Sequence, residues 1–89
     1  MKTATIHIAG MVQGVGYRYF ALRQANVFGI TGYVRNLING DVEVVASADE
    51  ESLNCFIDQL RNGPGRSHVS SLKIVEQPAR HFNSFSIVP

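Results

Sequence analysis

The chain has a single cysteine, Cys55, so no internal disulfide can staple it. No apolar run approaches the ~18 residues that a membrane-spanning helix needs, and the amino-terminal stretch MKTATIHIAG lacks the long apolar region of a signal peptide. Together these features point to a reducing cytoplasm. Charge of one sign is missing as well: the formal net charge is +1, which excludes the strongly basic footprint of a protein that neutralises many phosphates along a nucleic acid. Any anion site must therefore be local. There is no internal repeat, linker or low-complexity segment, and 89 residues suffice for one modest core burying roughly 60–65% of the unfolded surface. A single domain spanning residues 1–89 is expected.

Hydrophobic periodicity divides the chain into seven elements. Thr3 to Gly10 places Ile6 and Ile8 at period two, with Thr5 and His7 opposite, as a strand with one buried face does. Tyr17 to Phe28 is a helix whose stripe is Tyr17, Ala21, Ala25 and Phe28, with Gly29 as its left-handed stop. Thr31 to Ile38 is rich in strand formers and leads into Asn39-Gly40, a dipeptide suited to a tight hairpin. The second arm alternates as a half-exposed strand, with Val42, Val44 and Ala46 on one face and Glu43 on the other. Ser47 and Glu50 fit a capping box for a second helix, which buries Leu53, Phe56, Ile57 and Leu60 and ends at Gly63-Pro64, with Asp49 to Glu51 as acidic residues of its first turn. Val69 to Glu76 and Phe82 to Val88 read as strands joined by a polar connection. The order strand, helix, strand, strand, helix, strand, strand predicts an α+β fold. It is a ferredoxin-like split β-α-β sandwich with a short final strand, two helices covering one face of a mostly antiparallel sheet. That architecture hosts many activities and decides none.

Chemistry concentrates in two stretches. VQGVGYR, Val12 to Arg18, carries Gly14 and Gly16 between the first strand and the first helix. A helix amino terminus exposes N–H groups without intrahelical partners and carries a partial positive charge, glycine lets successive N–H groups curl toward one point, and an arginine adds a two-pronged donor. Such a loop either serves chain reversal alone or cradles a phosphoryl group. It lacks the Walker spacing and the dinucleotide fingerprint. In the second stretch, GYVRNLING from Gly32 to Gly40, Arg35 and Asn36 interrupt an apolar strand. Asparagine is disfavoured inside strands. Either Asn36 starts the turn, or its carboxamide projects into the same space as Arg18 and holds a water with one donor and one acceptor.

GMVQGVGYRYF (Gly10 to Phe20) followed by GITGYVRNLINGDVEV (Gly29 to Val44) resembles the two signature blocks of the acylphosphatase family. Gly63-Pro64 and the closing Phe85-Ser86-Ile87 fit as well, so the likeness covers essentially the whole chain. The resemblance implies an enzyme that hydrolyses carboxyl phosphates to a carboxylate and inorganic phosphate. It also implies site roles. Arg18 is similar to the family's phosphate-binding arginine, the backbone of Gln13, Gly14, Val15, Gly16 and Tyr17 to its phosphate cradle, and Asn36 to the residue that orients the attacking water. Tyr33 stands where tryptophan is common, Tyr17 where phenylalanine is common, and GPGRSHV replaces a more usual proline pair.

The chemistry is coherent without the family. A carboxylate leaving group has the acidity of Asp or Glu, with pKa ~4, and departs without a proton. Positioning and charge stabilisation then suffice, as in phosphoryl transfer generally. No protein base accompanies the two stretches, so the bound phosphate itself is expected to take the water's proton. His7, His68 and His81 show no metal-ligand spacing, and neither metal nor cofactor is expected. Cys55 lies on the flank of the second helix with nothing to lower its pKa. Arg23, Arg61, Arg66 and Arg80 read as surface charges, with Arg66 and Arg80 as candidates to frame a substrate entrance. A monomer acting on a small molecule, without nucleic acid or membrane, is expected. Two rivals keep the fold and lose the reaction. One is an RNA-binding sheet, against which GVGYRYF falls in a loop and not on a central strand. The other is an anion-sensing domain of the kind built into the longer hydrogenase maturation proteins.

Overall fold

Period-two alternation along the strands divides the sheet into an apolar and a polar face, and the two helices cover the apolar one. The structure, a computed structural model, describes residues 1–89. Its elements are β1 (Lys2–Met11), α1 (Tyr17–Phe28), β2 (Thr31–Asn36), β3 (Val42–Ala48), α2 (Glu50–Asn62), β4 (His68–Gln77) and β5 (Phe85–Ile87). The sheet order is β4-β1-β3-β2-β5, antiparallel throughout except for the parallel β2–β5 pair. On the apolar face Ile6 stands opposite Val44, and Ile8 opposite Val42 and Leu72. These rows meet Ala21 and Ala25 of α1 and Phe56 and Leu60 of α2 in one core. Helix α1 packs over β2 and β5, α2 over β3 and β4, and the helices touch each other. The fold is the ferredoxin-like sandwich expected from the element order.

Helix α1 has the expected bounds, its stop at Gly29 with φ 68°. Three details at the ends of elements differ from the expectation. The cap of α2 is Asp49, not Ser47: the Asp49 carboxylate accepts from the Ser52 N–H at 3.1 Å. Hydrogen bonding with Ser52, through its side chain first and its N–H second, holds the Asp49 carboxyl below the usual carboxylate range. Ser47 remains in β3, buried, because strand pairing with Thr3 and Thr31 carries the strand past the position that the capping pattern suggests. The β2–β3 turn is longer than a two-residue loop. Leu37 N–H donates to the Asp41 carbonyl at 2.8 Å, and Gly40 N–H to the Leu37 carbonyl at 3.2 Å. Gly40 has φ 96° but Asn39 keeps a negative φ, its side-chain oxygen accepting from the Asp41 N–H at 3.0 Å. Finally, β5 is three residues long, and Phe82 lies before it.

The polar face is not fully open, so β3 is not the half-exposed strand of the alternation. Val45 and Ser47 are buried, because the β4–β5 connection crosses that end of the sheet. Arg80 N–H donates to Thr3 Oγ1 at 2.9 Å, and the Arg80 carbonyl accepts from Ser47 Oγ at 3.0 Å. The Thr3 hydroxyl must then donate to Ser47 Oγ, 2.6 Å away, which closes the circuit. The Arg80 guanidinium lies 4.8 Å from the centre of the Phe82 ring, and Phe82 meets Tyr33 edge-on at 6.2 Å.

Candidate active site

Asn36 is the last residue of β2 and stands opposite Val42 of β3. It shares parity with the fully buried Val34, so the pleat turns its side chain to the helix-covered face. Arg35, one position earlier, takes the other face, where its Nε donates to Glu43 Oε1 at 2.8 Å. The two polar residues that interrupt the strand pattern therefore separate. Only Asn36 faces the end of the sheet from which α1 begins.

The loop between β1 and α1 is anchored at Val12, which is buried, and at Val15, which packs against the core. Between these anchors the backbone must turn sharply, and it does so at Gly14 and Gly16, with φ 74° and 77°. Both values lie in the left-handed region that a Cβ disfavours, and the space beside both α-carbons is open. Gly16 is the cap residue of α1. No side chain caps this helix, and no acidic residue lies in its first turn. The first intrahelical bond runs from Phe20 N–H to the Gly16 carbonyl at 3.0 Å, so the helix itself has no use for the preceding N–H groups.

These elements enclose an open cavity of about 170 Å³. It is lined by the loop and the first turn of α1, from Val12 to Gly14 and from Gly16 to Tyr19, and by Asn36 of β2. No lining residue is acidic. Arg18 takes part in no ion pair, in contrast to Lys2, which pairs with Glu50 and Glu76, and to Arg35. An unpaired guanidinium and a helix amino terminus thus share one cavity, giving it a positive potential. Asn36 lines the cavity, and its Oδ1 is a buried atom with no hydrogen-bond partner in the protein. Buried polar atoms are rarely left so, and an orphan on a cavity-lining residue marks a place for a water or a ligand group.

The residues singled out from the sequence are brought together with one distinction. Gln13, Gly14, Gly16, Tyr17, Arg18 and Asn36 line the cavity, whereas the Val15 side chain turns to the core and leaves only its backbone in the loop. The Tyr17 side chain is buried too, so this residue also offers the cavity its main chain. Sequence reasoning missed Tyr19, which lines the cavity while 62% exposed, and it missed the side chain of Gln13. Gln13 Nε2 donates to the carbonyls of Leu37 and Asp41, both at 2.9 Å, across the gap between loop and hairpin. No local pattern signals that contact.

Arg80 does not frame this cavity. It is held at Thr3 and Ser47, and Ser47 pairs with Thr31 at the opposite end of β2 from Asn36. Arg66 is exposed and is not among the lining residues. Cys55 is exposed on α2. His7 meets Asp41 on the polar face of the sheet, and no group of three or more His, Cys, Asp or Glu is placed to hold a metal ion. No helix is long and apolar enough to cross a membrane.

Comparison with known proteins identifies the family. The family model for acylphosphatases matches residues 4–87. The chain is 44% identical to an acylphosphatase of Pseudothermotoga lettingae over 89 residues, covering 100% of each chain. It is similar to the crystal structure of acylphosphatase from Bacillus subtilis, with TM-score 0.97 and 34% identity over 100% of each chain. A structure of an acylphosphatase from Coxiella burnetii matches with TM-score 0.94 and 30% identity, over 98% of this chain and 92% of that one.

Proposed function

The chain belongs to the acylphosphatase family and is a hydrolase of acyl phosphates, and we propose that Arg18, Asn36 and the loop Gln13 to Tyr17 carry out the reaction. The phosphoryl oxygens of the substrate occupy the cavity floor, held by main-chain N–H groups of the loop and by the Arg18 guanidinium. A water accepts its place from Asn36, whose Oδ1 takes a hydrogen bond from it and aims its lone pair at phosphorus. The water oxygen forms the new P–O bond as the bond between phosphorus and the carboxyl oxygen breaks. The electron pair leaves with the carboxylate, which needs no proton. The water's proton passes to a phosphoryl oxygen, and inorganic phosphate departs. Arg18 and the loop stabilise charge on the phosphoryl oxygens throughout, the main work in a transfer of this kind.

The observation that carries this reading is that Asn36, whose buried Oδ1 has no partner in the protein, lines a cavity whose only charged side chain is the unpaired Arg18. On the same reading the protein acts as a monomer on a small molecule, since one chain supplies both loop and asparagine. It works in a reducing cytoplasm, where the exposed Cys55 stays a thiol. Hydrolysis of acetyl phosphate in the presence of a metal chelator tests the site, with Arg18→Ala as control. Turnover by the parent and its loss in Arg18→Ala are expected. Parental turnover by Arg18→Ala refutes the assignment.

A further inference from the structure

Gln13 is exposed, yet both hydrogens of its side-chain amide are committed. Nε2 lies 2.9 Å from the Leu37 carbonyl and 2.9 Å from the Asp41 carbonyl. Those two oxygens already close the β2–β3 turn, since Asp41 O accepts from Leu37 N–H and Leu37 O from Gly40 N–H. The side chain thus uses the second lone pair of each carbonyl. It joins a residue of the phosphate loop to the residue immediately after Asn36. On its far side the turn is fixed by Asn39 and by His7, which both reach Asp41 Oδ2. The loop and the hairpin come from separate parts of the sheet, β1 and β2 being divided by β3. The Gln13 side chain ties the loop to the hairpin directly.

We propose that Gln13 is a positioning residue for the hydrolysis: its carboxamide clamps the hairpin to the phosphate loop and so fixes the distance between Asn36 and the bound phosphoryl group. This rests on the reading of Asn36 as the holder of the attacking water. The clamp leaves the loop's own N–H groups and Arg18 untouched, so its loss falls on turnover and not on phosphate capture. A misplacement of about 1 Å in an attacking group costs roughly 100-fold in rate, which sets the scale. The chemistry of the clamp also gives a signature. A carboxylate in place of the amide confronts two carbonyl oxygens with acceptors only, whereas a protonated carboxyl restores one donor.

The test compares Gln13→Met, which keeps the length of the side chain, Gln13→Glu, Asn36→Ala and the double variant Gln13→Met/Asn36→Ala, using acetyl phosphate as substrate and inorganic phosphate as competitive inhibitor. Gln13→Met is expected to lower kcat about 10- to 100-fold with the inhibition constant of phosphate changed less than about threefold. Gln13→Glu is expected to be the weaker of the two at neutral pH and to regain activity as pH falls through the titration of the new carboxyl. The double variant is expected to turn over no more slowly than Asn36→Ala alone, because the clamp acts through Asn36. The proposal is overturned if Gln13→Met keeps kcat within twofold, if kcat and phosphate affinity fall in parallel, or if the Gln13 effect persists in full in the Asn36→Ala background. Failure of the underlying reading looks different: Asn36→Ala itself then keeps the parental kcat. Because Gln13 is exposed, the variants keep the fold, which circular dichroism and thermal unfolding verify.

Discussion

The Tyr17 hydroxyl donates to the Leu60 carbonyl at 2.6 Å, joining the first turn of α1 to the last turn of α2. The residue four positions beyond Leu60 is Pro64, which has no N–H, so α2 cannot satisfy that carbonyl from its own chain. The phenol replaces the missing donor. Tyr17 stands where the family resemblance leads one to expect phenylalanine, and its extra oxygen serves this bond. It also fixes the helix whose amino terminus faces the cavity.

Tyr17→Phe is therefore expected to lower stability by about 1–2 kcal/mol, the cost of leaving a buried carbonyl without its partner. The shift of the midpoint in urea unfolding measures it. Turnover of acetyl phosphate should stay within a fewfold of the parent, because the main chain of Tyr17 is retained.

The same residue shapes alkaline unfolding. Burial pushes the Tyr17 phenol well above the ordinary tyrosine range. The fold therefore favours the protonated form, and above the unfolded pKa of ~10 the unfolded chain binds fewer protons than the native one. Stability is expected to be whole below about pH 10 and to fall as pH rises beyond it. Lys2, raised by Glu50 and Glu76, acts in the same window, so the comparison with Tyr17→Phe isolates the phenol. A slope above pH ~10 that is identical in both proteins contradicts the assignment.

Arg18→Lys is expected to lose about 100- to 1,000-fold in kcat/KM, the scale of one preorganised donor to developing charge. An ammonium keeps the charge and loses the planar two-pronged contact. Steady-state kinetics with acetyl phosphate decide it, and a loss below about threefold shows that charge alone suffices.

Asn36→Ala is expected to separate function from stability. It removes a buried oxygen that has no protein partner, so unfolding free energy should be unchanged to within about 0.5 kcal/mol, or increased. Turnover should fall about 100-fold with phosphate inhibition nearly unchanged. A variant that loses phosphate affinity instead contradicts the water-holding role.

The rate should be flat between about pH 6 and 9 once ionisation of the substrate is allowed for, since the proposed reaction uses no protein side chain as acid or base. A bell-shaped profile of kcat would require a titrating base in the site.

The element order, the bounds of α1, the buried stripe of α2 and the parity of the strands were all legible in the chain, because each rests on a local period of 2 or 3.6 residues. That parity alone assigns Asn36 to the face of Val34 and Arg35 to the opposite one. The cap of α2 lies beyond the capping box of Ser47 and Glu50 because pairing with β1 and β2 keeps Ser47 in its strand, which leaves the Asp49 carboxylate to cap the helix. Hydrophobicity alone extends the last strand back to Phe82, whereas the partners of Phe82 are Tyr33 and Arg80 on the far face of the sheet.

By itself the sequence determined what the parts are: a glycine loop opening a helix, an arginine in the first turn, an asparagine out of place in a strand. Local propensity and alternation are properties of neighbouring residues, and they need no fold to be read. Only the tertiary structure decided which of these parts meet. Gln13 and Leu37 are 24 positions apart, Tyr17 and Leu60 are 43, and Thr3 and Arg80 are 77. Such contacts exist only after the sheet has assembled in its β4-β1-β3-β2-β5 order, because burial of the whole apolar face, and no local preference, brings those segments together.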